Sequence, residues 1–222
     1  MSNGSPIRLA AAGTLIAGLV TALPACSSGG PGEPWKVQGR HVANNFTEIV
    51  EESLSAPNLE EFDRGVLERA KETGRLEQAD YDEAYRRFAD CMEFSGEPVK
   101  LKKLSNGLYR MDTTPLSPGE TLESAVAVVD KCSNGTINHI ASLFGTQQGN
   151  PELLLNPYEI AYKCLESKDL VGSSLTFEKF AEVFNSPDSK GAWSESLGFD
   201  VFDDEAQACF IGANITLVGS GS

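Results

Sequence analysis

Apolar positions recur at helical spacing along most of this chain. Within residues 37–54, Val42, Phe46, Ile49 and Val50 share a face with Glu48, Glu51 and Glu52 between them, which predicts a first helix. Leu59, Phe62, Val66, Leu67 and Ala70 predict a second, opened by Asn58 with Glu61 three later and closed by Gly74. A third starts at Asp80 with Glu83 as its capping partner and carries Tyr81, Ala84, Tyr85, Phe88 and Met92 to a stop at Gly96. Ser117-Pro118-Gly119-Glu120 and Asn156-Pro157-Tyr158-Glu159 each place a capping residue before a proline at the first helical position. The first leads into Leu122, Ala125, Val126 and Val129, the second into Ala161, Tyr162 and Leu165. Ile137, Ile140 and Phe144 predict another helix, broken by residues 145–151. Residues 176–184 follow as a helix, then a short one from Asp200 that carries Cys209, and a strand at 215–218.

Residues 98–112 change period. There Val99, Leu101, Leu104, Leu108, Tyr109 and Met111 surround Asn106-Gly107, which predicts a β-hairpin with a type I′ turn and positive φ at both central positions. Lys100, Lys102 and Lys103 on its first strand offer either a docking patch or, as expected of an exposed strand, protection against edge pairing. The fold class is therefore mainly α (α+β), a helical domain with one small hairpin.

Composition adds two limits. With 222 residues and 41 % hydrophobic content the chain can build a real core. Its 18 basic residues against 32 acidic ones give a net charge of −14, which repels nucleic acid and anionic lipid head groups.

The N-terminus differs from the rest. A short polar stretch with Arg8 precedes an apolar run from Leu9 to Ala22, the order of a secretory signal and too short for a permanent membrane span. It ends in Leu23-Pro24-Ala25-Cys26, which resembles the lipobox of bacterial lipoproteins. That resemblance implies a signal peptide over 1–25, cleavage before Cys26 and diacylglyceryl transfer to its sulfur, with palmitate among the acyl chains. The mature protein then sits on the extracytoplasmic face of the cell membrane, its membrane contact made through the N-terminal lipid. Two acyl chains at about 0.8 kcal/mol per buried CH₂ suffice for stable anchoring. Residues 26–34 contain no large apolar side chain and read as a flexible tether, 35–218 as the helical domain and 219–222 as a tail.

Acylation of Cys26 also resolves an odd cysteine count. Cys91, Cys132, Cys164 and Cys209 remain, and in an oxidising compartment two disulfides are expected from them. Three pairings are possible. Tyr85-x5-Cys91-Met92-Glu93 and Tyr158-x5-Cys164-Leu165-Glu166 align at an offset of 73 residues. If they mark two weakly related helical units, 75–135 and 150–212, the natural pairs are Cys91 with Cys132 and Cys164 with Cys209. The alternative is that Tyr, Cys and Glu recur because amphipathic helices use few residue types. Tyr85, Cys91, Gly96 and Cys132 also resemble small exported lipoproteins of high-GC Gram-positive bacteria, a family of unknown role, over about half of the mature chain.

Catalytic chemistry has little foothold. His41 and His139 stand in no metal-binding spacing, and there is no GxSxG, SxxK, GxGxxG or Walker A sequence. No cofactor, metal site or catalytic residue is assigned. Asp200, Asp203, Asp204 and Glu205 lack the EF-hand order and read as the first-turn acids of a helix. Tyr85, Tyr158, Tyr162 and Trp193 are the candidate ligand-binding residues, for an envelope protein, peptide or glycan. The expectation is a non-enzymatic binding module of the cell envelope. The alternatives are a carboxylate enzyme using Glu93, Glu166 or Asp200, and a protective or immunity lipoprotein.

Overall fold

Local capping chemistry starts several of the helices. In a computed structural model that describes residues 38–57, 59–112, 121–186 and 193–217, the Asn45 side chain accepts the Glu48 amide and opens α1 (Phe46–Leu54). Asn156, as its sequence predicts, and Thr176 do the same for α6 (Pro157–Ser167) and α7 (Phe177–Asn185). The signal and tether segments, Asn58 and residues 117–120 lie outside the described residues.

Several starts differ from the sequence reading. The first helix does not begin near Val37, because residues 40–42 are extended: Val42 donates to Leu153 O at 2.8 Å and Leu155 to Arg40 O at 2.7 Å. Helix α2 (Glu61–Thr73) begins after Glu60, and α3 (Gln78–Phe94) begins ahead of Asp80; neither has a side-chain cap. Asp80 instead holds Arg69 at 2.6 Å, and Glu83 pairs with Arg86 and Arg87. Helix α4 (Leu122–Ser133) starts at a Thr121–Ser124 capping box. Gly145 does not break α5 (Asn138–Gly149), which runs through it. A short α8 (Trp193–Leu197) was not expected, and α9 (Asp204–Gly212) starts at Asp203 rather than Asp200. No strand forms over residues 215–217.

The hairpin is present as β1 (Lys100–Lys103) and β2 (Tyr109–Asp112), antiparallel, with Lys103 opposite Tyr109 and Lys100 opposite Asp112. Its turn is not type I′. Only Gly107 has positive φ, at 81°, and Gly107 N donates to Leu104 O while Leu104 N donates to Leu108 O. That is a three-residue loop closed by a glycine bulge. Asn106 thereby frees its side chain, which donates to Ala208 O of α9 at 2.8 Å. Lys102 pairs with Asp204 at 2.6 Å and Lys103 with Asp82 at 2.7 Å, so these two lysines clamp the hairpin to α9 and α3 instead of forming a docking patch.

The described residues belong to one unit, Glu33–Ser222, with two main clusters of buried side chains. One joins α1, α2, α3, α5 and the hairpin turn around Val50, Val66, Leu67, Tyr81, Leu108 and Phe144. The other joins α6 to α9 around Leu165, Phe180, Val201 and Phe210. A small third cluster of Phe88, Met92 and Cys132 seats α4 on α3. The disulfides are Cys91–Cys132 and Cys164–Cys209, with Cα separations of 5.6 and 5.5 Å. They fit an oxidising, extracytoplasmic compartment. Among the described residues no helix is long and apolar enough to cross a membrane.

The two main clusters meet where α5 crosses α9. A Cβ on Gly149 would lie 2.3 Å from the Gly212 backbone, and one on Gly212 would lie 2.8 Å from Gly149 Cα. Only glycine permits this approach. Gly145, one turn earlier, has open space around it. Gly149→Ala is expected to lower stability by at least about 2 kcal/mol through overpacking. Gly145→Ala should raise it by roughly 0.5–1 kcal/mol through helix propensity. Urea denaturation of the two variants checks the pair. Replacing Cys91 and Cys132 together by serine should remove about 4 kcal/mol, the chain-entropy value for a 41-residue loop, in the same measurement.

Candidate functional site

Tyr81 and Tyr85 stand one turn apart on α3 and share a face. Tyr81 is 1 % exposed; its ring stacks on Phe144 at 4.3 Å and on Tyr109 at 5.7 Å. Its hydroxyl accepts the Tyr109 amide at 3.0 Å, which fixes β2 against α3. Burial pushes the Tyr81 phenol above its ordinary value and does the same to Tyr85, where a hydrogen bond with Tyr81 opposes it. Both hydroxyls stay protonated at neutral pH.

The half-buried Tyr85 ring lies 4.9 Å from that of Tyr109, and these two rings form one end of a cleft of about 590 Å³. Strand β2 supplies Tyr109, Arg110, Met111 and Asp112; α9 supplies Gln207 and Ile211; Phe202, Thr216 and Leu217 complete the wall. A smaller cavity of about 270 Å³ adjoins it through Tyr85 and Ile211 and reaches Gly145 and Gly212. Phe202 is 44 % and Met111 37 % exposed, so apolar surface faces the opening.

Charge along the rim is balanced. Arg110 reaches Asp112 at 2.9 Å and Asp204 at 3.6 Å, and Asp204 also binds Lys102. The Lys102 hydrogen bond holds the Asp204 carboxyl below its ordinary value. Gln207 is anchored by donating to Val201 O at 2.7 Å. Aromatic faces, aliphatic edges and hydrogen-bonding groups are what such a surface offers to a ligand.

Of the four aromatic candidates read from the sequence, Tyr85 lies in this cleft. Tyr158, Tyr162 and Trp193 pack in the second core instead. Tyr158 and Trp193 stack on Phe184 at 5.7 and 6.3 Å. Tyr162 meets Phe177 and Phe180 edge-on and donates to Leu175 O at 2.8 Å. Glu93, Glu166 and Asp200 are exposed on α3, on α6 and ahead of α9, and none lines either cavity. The acidic run at 200–205 has local duties: Asp200 and Asp203 accept backbone amides, and Glu205 pairs with Lys168. No group of three or more His, Cys, Asp or Glu able to hold a metal occurs among the described residues.

An open depression of about 620 Å³ at the start of α2 is lined by Glu60, Glu61, Phe62, Arg69 and Arg87. Its guanidinium groups are engaged: Arg69 on Asp80, Arg87 on Glu83 and 4.0 Å above the Phe62 ring. The tyrosine cleft, which has more apolar wall, is therefore the better candidate site. No protein-family model, curated protein or solved structure matches this chain.

The first turn of α2 also carries Asp63, 1 % exposed and with Oδ1 lacking a hydrogen-bond partner. Burial raises its pKa, His139 opposes this and Glu60 adds to it. The folded state thus holds this proton more tightly than the unfolded chain does. Charged Asp63 opposes folding at neutral pH, and the penalty fades as pH falls through the raised value toward the ordinary one. Asp63→Asn should therefore unfold at higher urea concentration than the parent at pH 7, with the difference shrinking near pH 4. A less stable variant at pH 7 would instead show that the His139 attraction dominates.

Proposed function

We propose that this chain is an exported lipoprotein, acylated at Cys26, that binds a ligand or partner at the extracytoplasmic face of the cell membrane. Residues 26–34 act as the tether. The cleft between β2 and α9 is the binding site, and the protein does not transform what it binds. The observation that carries the reading is the cleft itself, walled by Tyr85, Tyr109, Phe202 and Leu217 on a disulfide-stapled frame. Two paired disulfides support export, and they leave Cys26 as the cysteine available for lipid. Loss of residues 1–25 removes Arg8 alone among charged side chains, so the mature domain is more acidic still and lipid, not charge, holds it to the membrane.

Expressed in a bacterium that processes lipoproteins, the chain should partition with membranes and yield an N-terminal peptide beginning at diacylglyceryl-Cys26 by mass spectrometry. Cys26→Ser should move it to the soluble extracytoplasmic fraction. An unmodified Cys26, or membrane partitioning that survives the substitution, removes the anchor from the proposal. A photocrosslinking residue at Phe202 should label a discrete partner, and one at the exposed Phe94, which does not line the cleft, should not. Equal labelling from both positions counts against the cleft.

A further inference from the structure

All four residues of β2 line the cleft. Successive side chains of a strand point to opposite faces, so a cavity against one face of the hairpin would meet every second residue. A cavity that meets all four therefore reaches the backbone of the strand as well as its side chains. Strand β1 occupies one edge of β2, in the register Lys102 to Arg110 and Leu101 to Met111.

The backbone of the other edge is oriented for pairing. Tyr109 donates its amide away from β1, to the Tyr81 hydroxyl at 3.0 Å. In an antiparallel ladder the backbone groups of residues two apart point the same way. The N–H and C=O of Met111 therefore also point away from β1, along the cleft. Edges are normally guarded by lysine, proline or a bulge. Here the lysines stand on β1, and the one cation of β2, Arg110, is folded onto Asp112.

We propose that the β2 edge takes up an extended peptide as a third strand, a mode of binding that rests on the cleft being the site of the proposed function. With the Tyr109 amide held by Tyr81, this edge offers the Met111 N–H and C=O and the Tyr109 C=O, which a peptide stretch of about three residues can reach. Main-chain hydrogen bonds to Met111 supply affinity whatever the peptide sequence. Peptide side chains meet Tyr85, Phe202 and Leu217 of the cleft wall, which supplies selectivity. The peptide is neutral or basic: the protein carries a charge of −14, and the cations at the rim are already shared with Asp112 and Asp204.

The test uses the full-length chain with Cys26→Ser to keep it soluble, probed against an array of synthetic peptides of about nine residues. The strongest binders are then titrated by fluorescence anisotropy. Backbone N-methylation of the bound peptide should raise Kd about tenfold at alternate positions, those facing β2, and change little between them. Met111→Pro, which removes an edge donor while leaving the ladder to β1 intact, should raise Kd similarly. Because the N-methyl scan alters only the peptide, it decides the question even if Met111→Pro fails to fold. A flat N-methyl scan combined with lost binding in Tyr85→Ala and Phe202→Ala overturns strand addition and keeps the cleft. Binding indifferent to Tyr85→Ala, Phe202→Ala and Met111→Pro alike overturns the cleft as well. An array without binders, or a dimer that Met111→Pro dissolves, overturns the peptide and, in the second case, gives the edge to another copy of this chain.

Discussion

The rest of the structure depends on a single backbone contact, between Gly149 and Gly212. Helix α5 packs against α1, α2 and α3, and α9 packs against α6. Each helix thus belongs to one of the two main cores, and each ends in a glycine where the two cross. Side chains at the crossing would push the axes apart, since helix separation follows the size of the residues between them. With none there, the cores meet directly. Ile211, the residue before Gly212, is carried to the rim of the cleft by the same crossing, and Asn106 reaches Ala208 one turn earlier. The spacing between β2 and α9, and so the width of the binding site, follows from two absent side chains.

The disulfides act inside this arrangement and not across it. Cys164–Cys209 ties α6 to α9 within the second core, and Cys91–Cys132 ties α4 to α3 beside the first. Helix α4 needs its bridge more. It rests on the small third cluster, and Leu122 and Val126 remain 70 % and 47 % exposed. A bridge of this kind works mainly by restricting the unfolded chain, so it can hold an element whose own contacts are few.

Side-chain amides handle the polar groups that such irregular connections would leave unpaired. Gln147 exchanges two hydrogen bonds with the backbone of Leu76, and Asn150 does the same with Leu154. Both sit at the end of α5, beside the glycine crossing. They fasten the loops after α2 and before α6 to one helix end, each replacing water contacts that burial removes. The hairpin is secured in the same region by Lys102, Lys103 and Asn106, and among the described residues β1 is the only strand paired with β2.

The sequence by itself determined the elements whose causes are local. Asn156 caps a helix, Asn106-Gly107 turns the hairpin, and apolar spacing marks the helices, because each effect acts within a few residues. The offset between Tyr85-x5-Cys91 and Tyr158-x5-Cys164 even pointed to the correct disulfide pairing. Helix starts were less legible: Asp80 and Asp200 look like caps, yet an acid near a helix start is equally suited to the first turn or to a partner such as Arg69. The turn type escaped because Asn106 is drawn to α9, far along the chain. The cleft was not legible at all beyond Tyr85. Tyr109 and Leu217 line one cleft from more than a hundred residues apart, and a tyrosine at helical spacing looks the same whether it will close a core, as Tyr162 does, or line an opening. Only the tertiary structure decided that, because exposure depends on which distant backbone arrives beside a side chain, and here that was settled by how closely α5 and α9 approach.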